Sequence, residues 1–131
     1  MFIDADVFIL AYTSNDRRGK NSKKFLSRIL NGEQTAVVNP LIFDEVVYIL
    51  INKKGEKFAK KVWENMIKIP NLKILPIDEK VLSYVMKFIE EGLEPRDAFH
   101  IATMYVNGIN TICSYDKDFD ILKNIRRKEP K

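Results

Sequence analysis

Carboxylates recur in this chain beside short apolar runs and within apolar helices. Phe2 to Val7 reads FIDADVF, a short apolar run broken by Asp4 and Asp6. Asp44 and Glu45 lie side by side inside NPLIFDEVVYIL. Leu93 to Leu122, LEPRDAFHIATMYVNGINTICSYDKDFDIL, carries Asp97 and then Asp116 and Asp118. With Cys113 as the one cysteine and His100 as the one histidine, the set is built from hard oxygen donors. Such donors suit Mg²⁺ or Mn²⁺ and do not suit zinc. Ions of that kind activate water, neutralise phosphate and hold the leaving oxygen in an in-line displacement at phosphorus.

Each acid also has a plain structural reading. Asp97 in the first turn of a helix is favoured by the helix dipole by about 0.3–1 kcal/mol, with no chemistry required. Asp4 could end a strand, and Asp116 or Asp118 could cap a turn. Glu45 has Leu41 and Ile42 one turn before it and Tyr48 and Ile49 one turn after, so a buried charge there demands a positive partner or neutralises. Periodicity does not choose between Asp44 and Glu45. His100, one turn after Asp97, reads as a packing or orienting histidine ahead of a catalytic base. Singly the acids are structural; at compatible places in one topology they make a site.

Short apolar strands alternating with helices supply that topology. Met1 to Ile3, Thr35 to Val38, Leu72 to Leu75 and Thr111 to Cys113 read as strands, and the tail from Ile121 to Lys131 has room for a last edge strand. Between them come a brief helix at Val7 to Tyr12, a polar loop at Thr13 to Lys20, and an amphipathic helix from Asn21 to Leu30 stopped by Gly32. Asn39-Pro40 is an N-cap followed by proline at the first helical position, opening a nearly all-apolar helix to about Asn52. Helices from about Glu56 to Ile69, from Asp78 to Gly92 and from Leu93 to Asn107 follow, the last with Glu94 as N-cap and Pro95 next. Strands too far apart for hairpins predict a mainly parallel central sheet with helices on both faces, an α/β fold. Right-handed crossovers then bring the strand carboxyl ends, and the N-termini of the helices that follow them, to one edge. Asp4, Asp97 and Asp116 converge there, where ligands bind in such folds.

The chain's 131 residues, 46% of them hydrophobic, are expected to form one domain, 1–131, with a proper core. A net charge of +4 favours anionic partners such as nucleic acid. Arg17, Arg18, Lys20 and Lys57 are the candidate phosphate contacts. Cys113 reads as a small apolar residue in a buried strand, and its solitude excludes an internal disulfide. No apolar run reaches the roughly 18 residues of a membrane helix, and no basic-then-apolar leader opens the chain, so a soluble, cytoplasmic protein is expected.

At these residues the chain resembles the PIN-domain ribonucleases, and within them the VapC-type toxins of toxin–antitoxin pairs. FIDADVF looks like the family's opening Asp strand, NPLIFDEVVYIL like its glutamate helix, PRDAFHIATM like its central Asp-Ala helix, and ICSYDKDFD like its closing Asp-x-Asp-Phe turn. The resemblance spans nearly the whole chain. It implies a three-layer α/β/α sandwich with a parallel sheet, and Asp4, Glu45, Asp97 and Asp116 as the catalytic, metal-holding quartet. It adds Asp118 as an extra acid, Ser114 as a hydroxyl beside the last strand, and Asp6 where the family most often has a small polar residue such as asparagine. It further implies a Mg²⁺- or Mn²⁺-dependent endoribonuclease that hydrolyses RNA phosphodiester bonds, dimerises and pairs with an antitoxin. A housekeeping RNA-processing nuclease would carry the same motifs. Two other rivals are a haloacid-dehalogenase-type phosphatase, which also opens with Asp-x-Asp but would leave Glu45 without a role, and a non-catalytic RNA-binding module, which would lack acids that are all present here.

Overall fold

The computed structural model describes residues 1–131. Its strands are β1 (Phe2–Ile3), β2 (Ala36–Val38), β3 (Leu72–Ile74), β4 (Thr111–Cys113) and β5 (Arg126–Lys128). Its helices are α1 (Ala5–Thr13), α2 (Arg17–Leu30), α3 (Pro40–Lys54), α4 (Glu56–Ile67), α5 (Glu79–Glu90) and α6 (Pro95–Val106), with a 3-10 turn at Lys117–Ile121. The sheet runs β3-β2-β1-β4-β5 and every pairing is parallel. The α/β reading of the sequence therefore holds, including the edge strand in the tail.

The strand order decides where a site can form. From β1 the chain steps outward to β2 and β3, then crosses back past β1 to β4 and β5. Because parallel crossovers are right-handed, α1 to α4 cover one face and α5 and α6 the other. The direction reverses between β1 and β4, which leaves a crevice at their carboxyl ends. Asp4 leaves β1 there, its N–H still bonded to the Cys113 carbonyl at 3.0 Å. β1, β2 and β4 are short because their carboxyl ends pass within three residues into a capped element. Asp4 caps α1 through the Ala5 N–H, Asn39 caps α3 through Ile42, and Asp116 caps the 3-10 turn through Asp118.

Phe2, Ile3 and Ile112 from the sheet pack with Phe8, Ile42 and Ile101 from the helices, all fully buried. Each such side chain stabilises the fold by roughly 1.5–3 kcal/mol relative to exposure, and together they hold β1 and β4 in the register that aligns Asp4 with Ser114. No helix is long and apolar enough to cross a membrane.

One segment differs from the sequence reading. Thr13 to Lys20 is not a loop: α1 ends at Thr13 and α2 already begins at Arg17, with Asp16 as its N-cap accepting from Gly19 N–H at 2.9 Å. The glycine that suggested a loop is there for space. A Cβ on Gly19 would stand 2.1 Å from the Ser14 carbonyl oxygen, so only glycine lets the start of α2 fold back onto the end of α1.

Candidate active site

Asp4 is 6% exposed, and both its oxygens are engaged: Oδ1 accepts from Ala5 N–H at 2.8 Å and Oδ2 from the Ser114 hydroxyl at 2.7 Å. Ser114 is fully buried, and its Oγ in turn accepts from Asp116 N–H at 2.9 Å. One hydroxyl thus ties the acid after β1 to the acid after β4.

Glu45 and Asp44 separate cleanly. Asp44 is solvent-exposed and faces Arg96 at 3.5 Å, whereas Glu45 Oε1 lies 2.6 Å from His100 Nε2. His100 is 0% exposed, its ring set against Phe2 with centroids 5.4 Å apart. Its tautomer follows from Asn39. As the cap of α3, Asn39 uses its Oδ1 to accept from Ile42 N–H at 3.2 Å, so its Nδ2 must be the group facing Thr103 Oγ1 at 3.0 Å and His100 Nδ1 at 3.1 Å. His100 Nδ1 therefore accepts, and Nε2 carries the hydrogen that it donates to Glu45. With both nitrogens used, His100 orients Glu45 and has neither a lone pair for a metal nor a free site for base catalysis.

Ligand-type atoms of Asp4, Glu45 and His100 fall within 4.8 Å of one another, as do carboxylate oxygens of Asp97, Asp116 and Asp118. The two groups share one field. Asp97 is pushed up to about 7, first by burial and then by the charges of Asp4 and Asp116. Asp4 is raised by burial against the pull of His100 and the Ser114 hydrogen bond. Asp6 joins them: its Oδ2 accepts from Tyr115 N–H at 2.9 Å, its Oδ1 is buried without a partner, and burial followed by Asp4's charge pushes its carboxyl up to about 7. No lysine or arginine is ion-paired with Asp4, Asp6, Glu45, Asp97, Asp116 or Asp118. Buried carboxylates are ordinarily met by a cation. An oxygen-only set lacking any side-chain cation is chemically what a hard divalent ion requires, so the residues present fit one.

The structure separates the candidate phosphate contacts. Arg17, Arg18 and Lys20 project exposed from the first turn of α2. Arg18 Cζ stands 5.6 Å from the centroid of Tyr115, whose Oη donates to the Arg18 carbonyl at 3.0 Å, so this turn adjoins the loop that bears Asp116. Lys57 is in the first turn of α4, beyond the far end of α3, roughly 15 Å along the axis from Glu45, and is not brought together with the others. Cys113 is buried, with its thiol pushed up to about 12 by burial and the nearby charges of Asp6 and Asp4.

Sequence reasoning read Asn39 only as a helix cap. Its second partner, His100, lies 61 positions away and left no local signal. Asn39→Ala should cost about 2–4 kcal/mol in urea unfolding, from the lost cap together with the unpaired buried nitrogen of His100. A cost below about 1 kcal/mol would mean that the side chain acts only on its own helix.

A parallel sheet with acids gathered at its switch point defines an α/β protein whose acidic cluster is consistent with a divalent ion. The chain belongs to the PIN domain family, whose sequence model matches residues 1–125. Among curated proteins it is similar to a VapC ribonuclease of Mycobacterium bovis, 20% identical over 129 residues covering 97% of this chain and 98% of that one. It is also similar to ribonuclease VapC6 of Methanocaldococcus jannaschii, 24% identical with 92% and 90% covered. Of solved structures, VapC20 of Mycobacterium tuberculosis, a sarcin–ricin loop cleaving toxin, superposes with a TM-score of 0.74 at 15% identity, covering 95% of each chain. VapBC2 of Rickettsia felis, bound to a DNA fragment from its promoter, gives 0.74 at 12% identity over 99% and 98% of the chains.

Proposed function

We propose that the chain is a Mg²⁺- or Mn²⁺-dependent endoribonuclease and the toxin partner of an antitoxin. The observation that carries the reading is the gathering of Asp4, Glu45, Asp97, Asp116 and Asp118 at one sheet edge with no cation among them, in a family whose similar members are ribonucleases. Near full-length similarity to VapC proteins supports the toxin over a housekeeping nuclease. Family membership removes the phosphatase rival, and the complete acid set speaks against a non-catalytic module.

In this reading Asp4, Glu45, Asp97 and Asp116 hold the ion, with Asp118 at the solvent side. When bound, the ion lowers the pKa of water and neutralises charge on the phosphate and the leaving oxygen. The chain supplies the rest. Ser114 fixes Asp4 and the backbone of Asp116, and His100, itself fixed by Asn39, presents Glu45. Arg17 and Arg18 offer the phosphate backbone a landing beside the site, so binding should weaken as salt rises. A second copy of the chain is the expected companion of the toxin form.

The test sets a single-stranded oligoribonucleotide beside its DNA counterpart and a small phosphomonoester, each with Mg²⁺. The RNA should be cut internally and the other two left intact. Turnover of the monoester alone would move the protein to phosphatase chemistry. Charge reversal of Arg17 and Arg18 should raise the KM for RNA while leaving affinity for the ion unchanged.

A further inference from the structure

Arg127 lies on β5, the edge strand expected in the charged tail. Its side chain is nevertheless 12% exposed. The guanidinium forks onto one carboxylate, Nε donating to Asp120 Oδ1 at 2.8 Å and Nη2 to Asp120 Oδ2 at 3.2 Å. Nη1 donates to the Ser114 carbonyl at 3.0 Å and reaches Glu129 Oε1 at 3.3 Å. Ser114 opens the segment that carries Asp116 and Asp118, and Asp120 lies within the 3-10 turn that closes it. One side chain therefore grips the segment on both sides of its acids.

The grip continues into the site. The Ser114 peptide is fixed at both poles by β5, its N–H donating to the Lys128 carbonyl at 2.9 Å and its carbonyl accepting from Arg127. That peptide aims the hydroxyl that donates to Asp4 and receives the N–H of Asp116. A slack segment would let Asp116 and Asp118 swing out, since grouped like charges repel. A bidentate arginine–carboxylate pair resists this better than lysine can, because its planar fork fixes direction as well as charge.

We propose that Arg127, with Asp120, is a positioning residue: a clamp outside the acid cluster that holds Asp116 and Asp118 in place for the divalent ion. The proposal rests on the metal-site reading above. Its closest physical parallel is the partner that orients a metal ligand, whose loss costs about 10–100-fold in metal affinity.

The test is Mn²⁺ alone titrated into the folded wild-type chain, Arg127→Lys and Asp120→Asn, with circular dichroism and thermal melting of the metal-free proteins alongside. Asp120 is half exposed, so Asp120→Asn should fold even if Arg127→Lys does not. Each variant should bind Mn²⁺ about tenfold more weakly, and the double variant little worse than either single one, because both break the same clamp. With RNA, kcat should fall at saturating RNA while the KM for RNA stays put. Folded variants that bind Mn²⁺ as tightly as wild type would overturn the clamp. A wild type that binds no Mn²⁺ would overturn the metal-site reading and the clamp with it. A wild type that binds Mn²⁺ with weakened variants but leaves RNA intact would uphold the clamp and overturn the ribonuclease.

Discussion

Asp97→Asn should fold as wild type does and lose RNA cleavage by about a thousandfold. Asp97 sits in the first turn of α6 between the charges of Asp4 and Asp116, so its carboxylate is an electrostatic member of the site whatever ion is present. Removing one preorganised electrostatic element from a reaction centre costs about 10²–10³-fold, and a lost metal-holding oxygen belongs at the upper end of that range. Structure and function respond in opposite directions. In the metal-free protein burial and the neighbouring acids push the Asp97 carboxyl up to about 7, well above the usual carboxylate range. A carboxyl raised on folding contributes stability that is fully present below the unfolded pKa and lost as pH rises through the folded one. Asparagine never ionises, so metal-free Asp97→Asn should melt higher than wild type at pH 8, and the gap should shrink toward pH 5. Added Mg²⁺ should stabilise wild type at pH 8 and do much less for the variant. The melting curves and the cleavage rate come from the same two proteins. A variant that melts lower than wild type at every pH would mean that Asp97 serves the helix dipole.

EDTA should abolish cleavage by the wild type, and excess Mg²⁺ or Mn²⁺ should restore it. The reason lies in how fully the site's own groups are engaged. The only histidine has both nitrogens occupied, by Asn39 and Glu45. The Ser114 hydroxyl donates to Asp4, and both Asp4 oxygens already accept hydrogen bonds. Cys113 is buried with its thiol pushed up to about 12. The carboxylates left free, those of Asp97 and Asp118, are gathered with the other acids and no lysine or arginine, an arrangement suited to holding an ion that activates water. Full RNase activity in excess EDTA would refute the assignment.

The positions of the acids in chain and topology were legible because they break local rules. Asp4 and Asp116 lie just past the ends of apolar strands, Glu45 lies inside an apolar helix, and alternation of short strands with helices implies a parallel sheet with one carboxyl edge. The resemblance chose Glu45 over Asp44 where helical period could not, and in the fold Asp44 meets Arg96 in solvent while Glu45 meets His100. The start of α2 was not legible, because Gly19 reads as a loop residue until the Ser14 carbonyl is found against it.

By itself, then, the sequence determined which residues carry charge, which segments are helix or strand apart from the start of α2, and a shared edge for Asp4, Asp97 and Asp116. Only the tertiary structure decided the identity of their supports. Asn39 reaches His100 across 61 positions, Ser114 reaches Asp4 across 110, and the Arg127 side chain turns back to the Ser114 carbonyl across 13. A hydrogen bond of this kind is specified by distance and direction in space, and neither is encoded in the local periodicity of either partner.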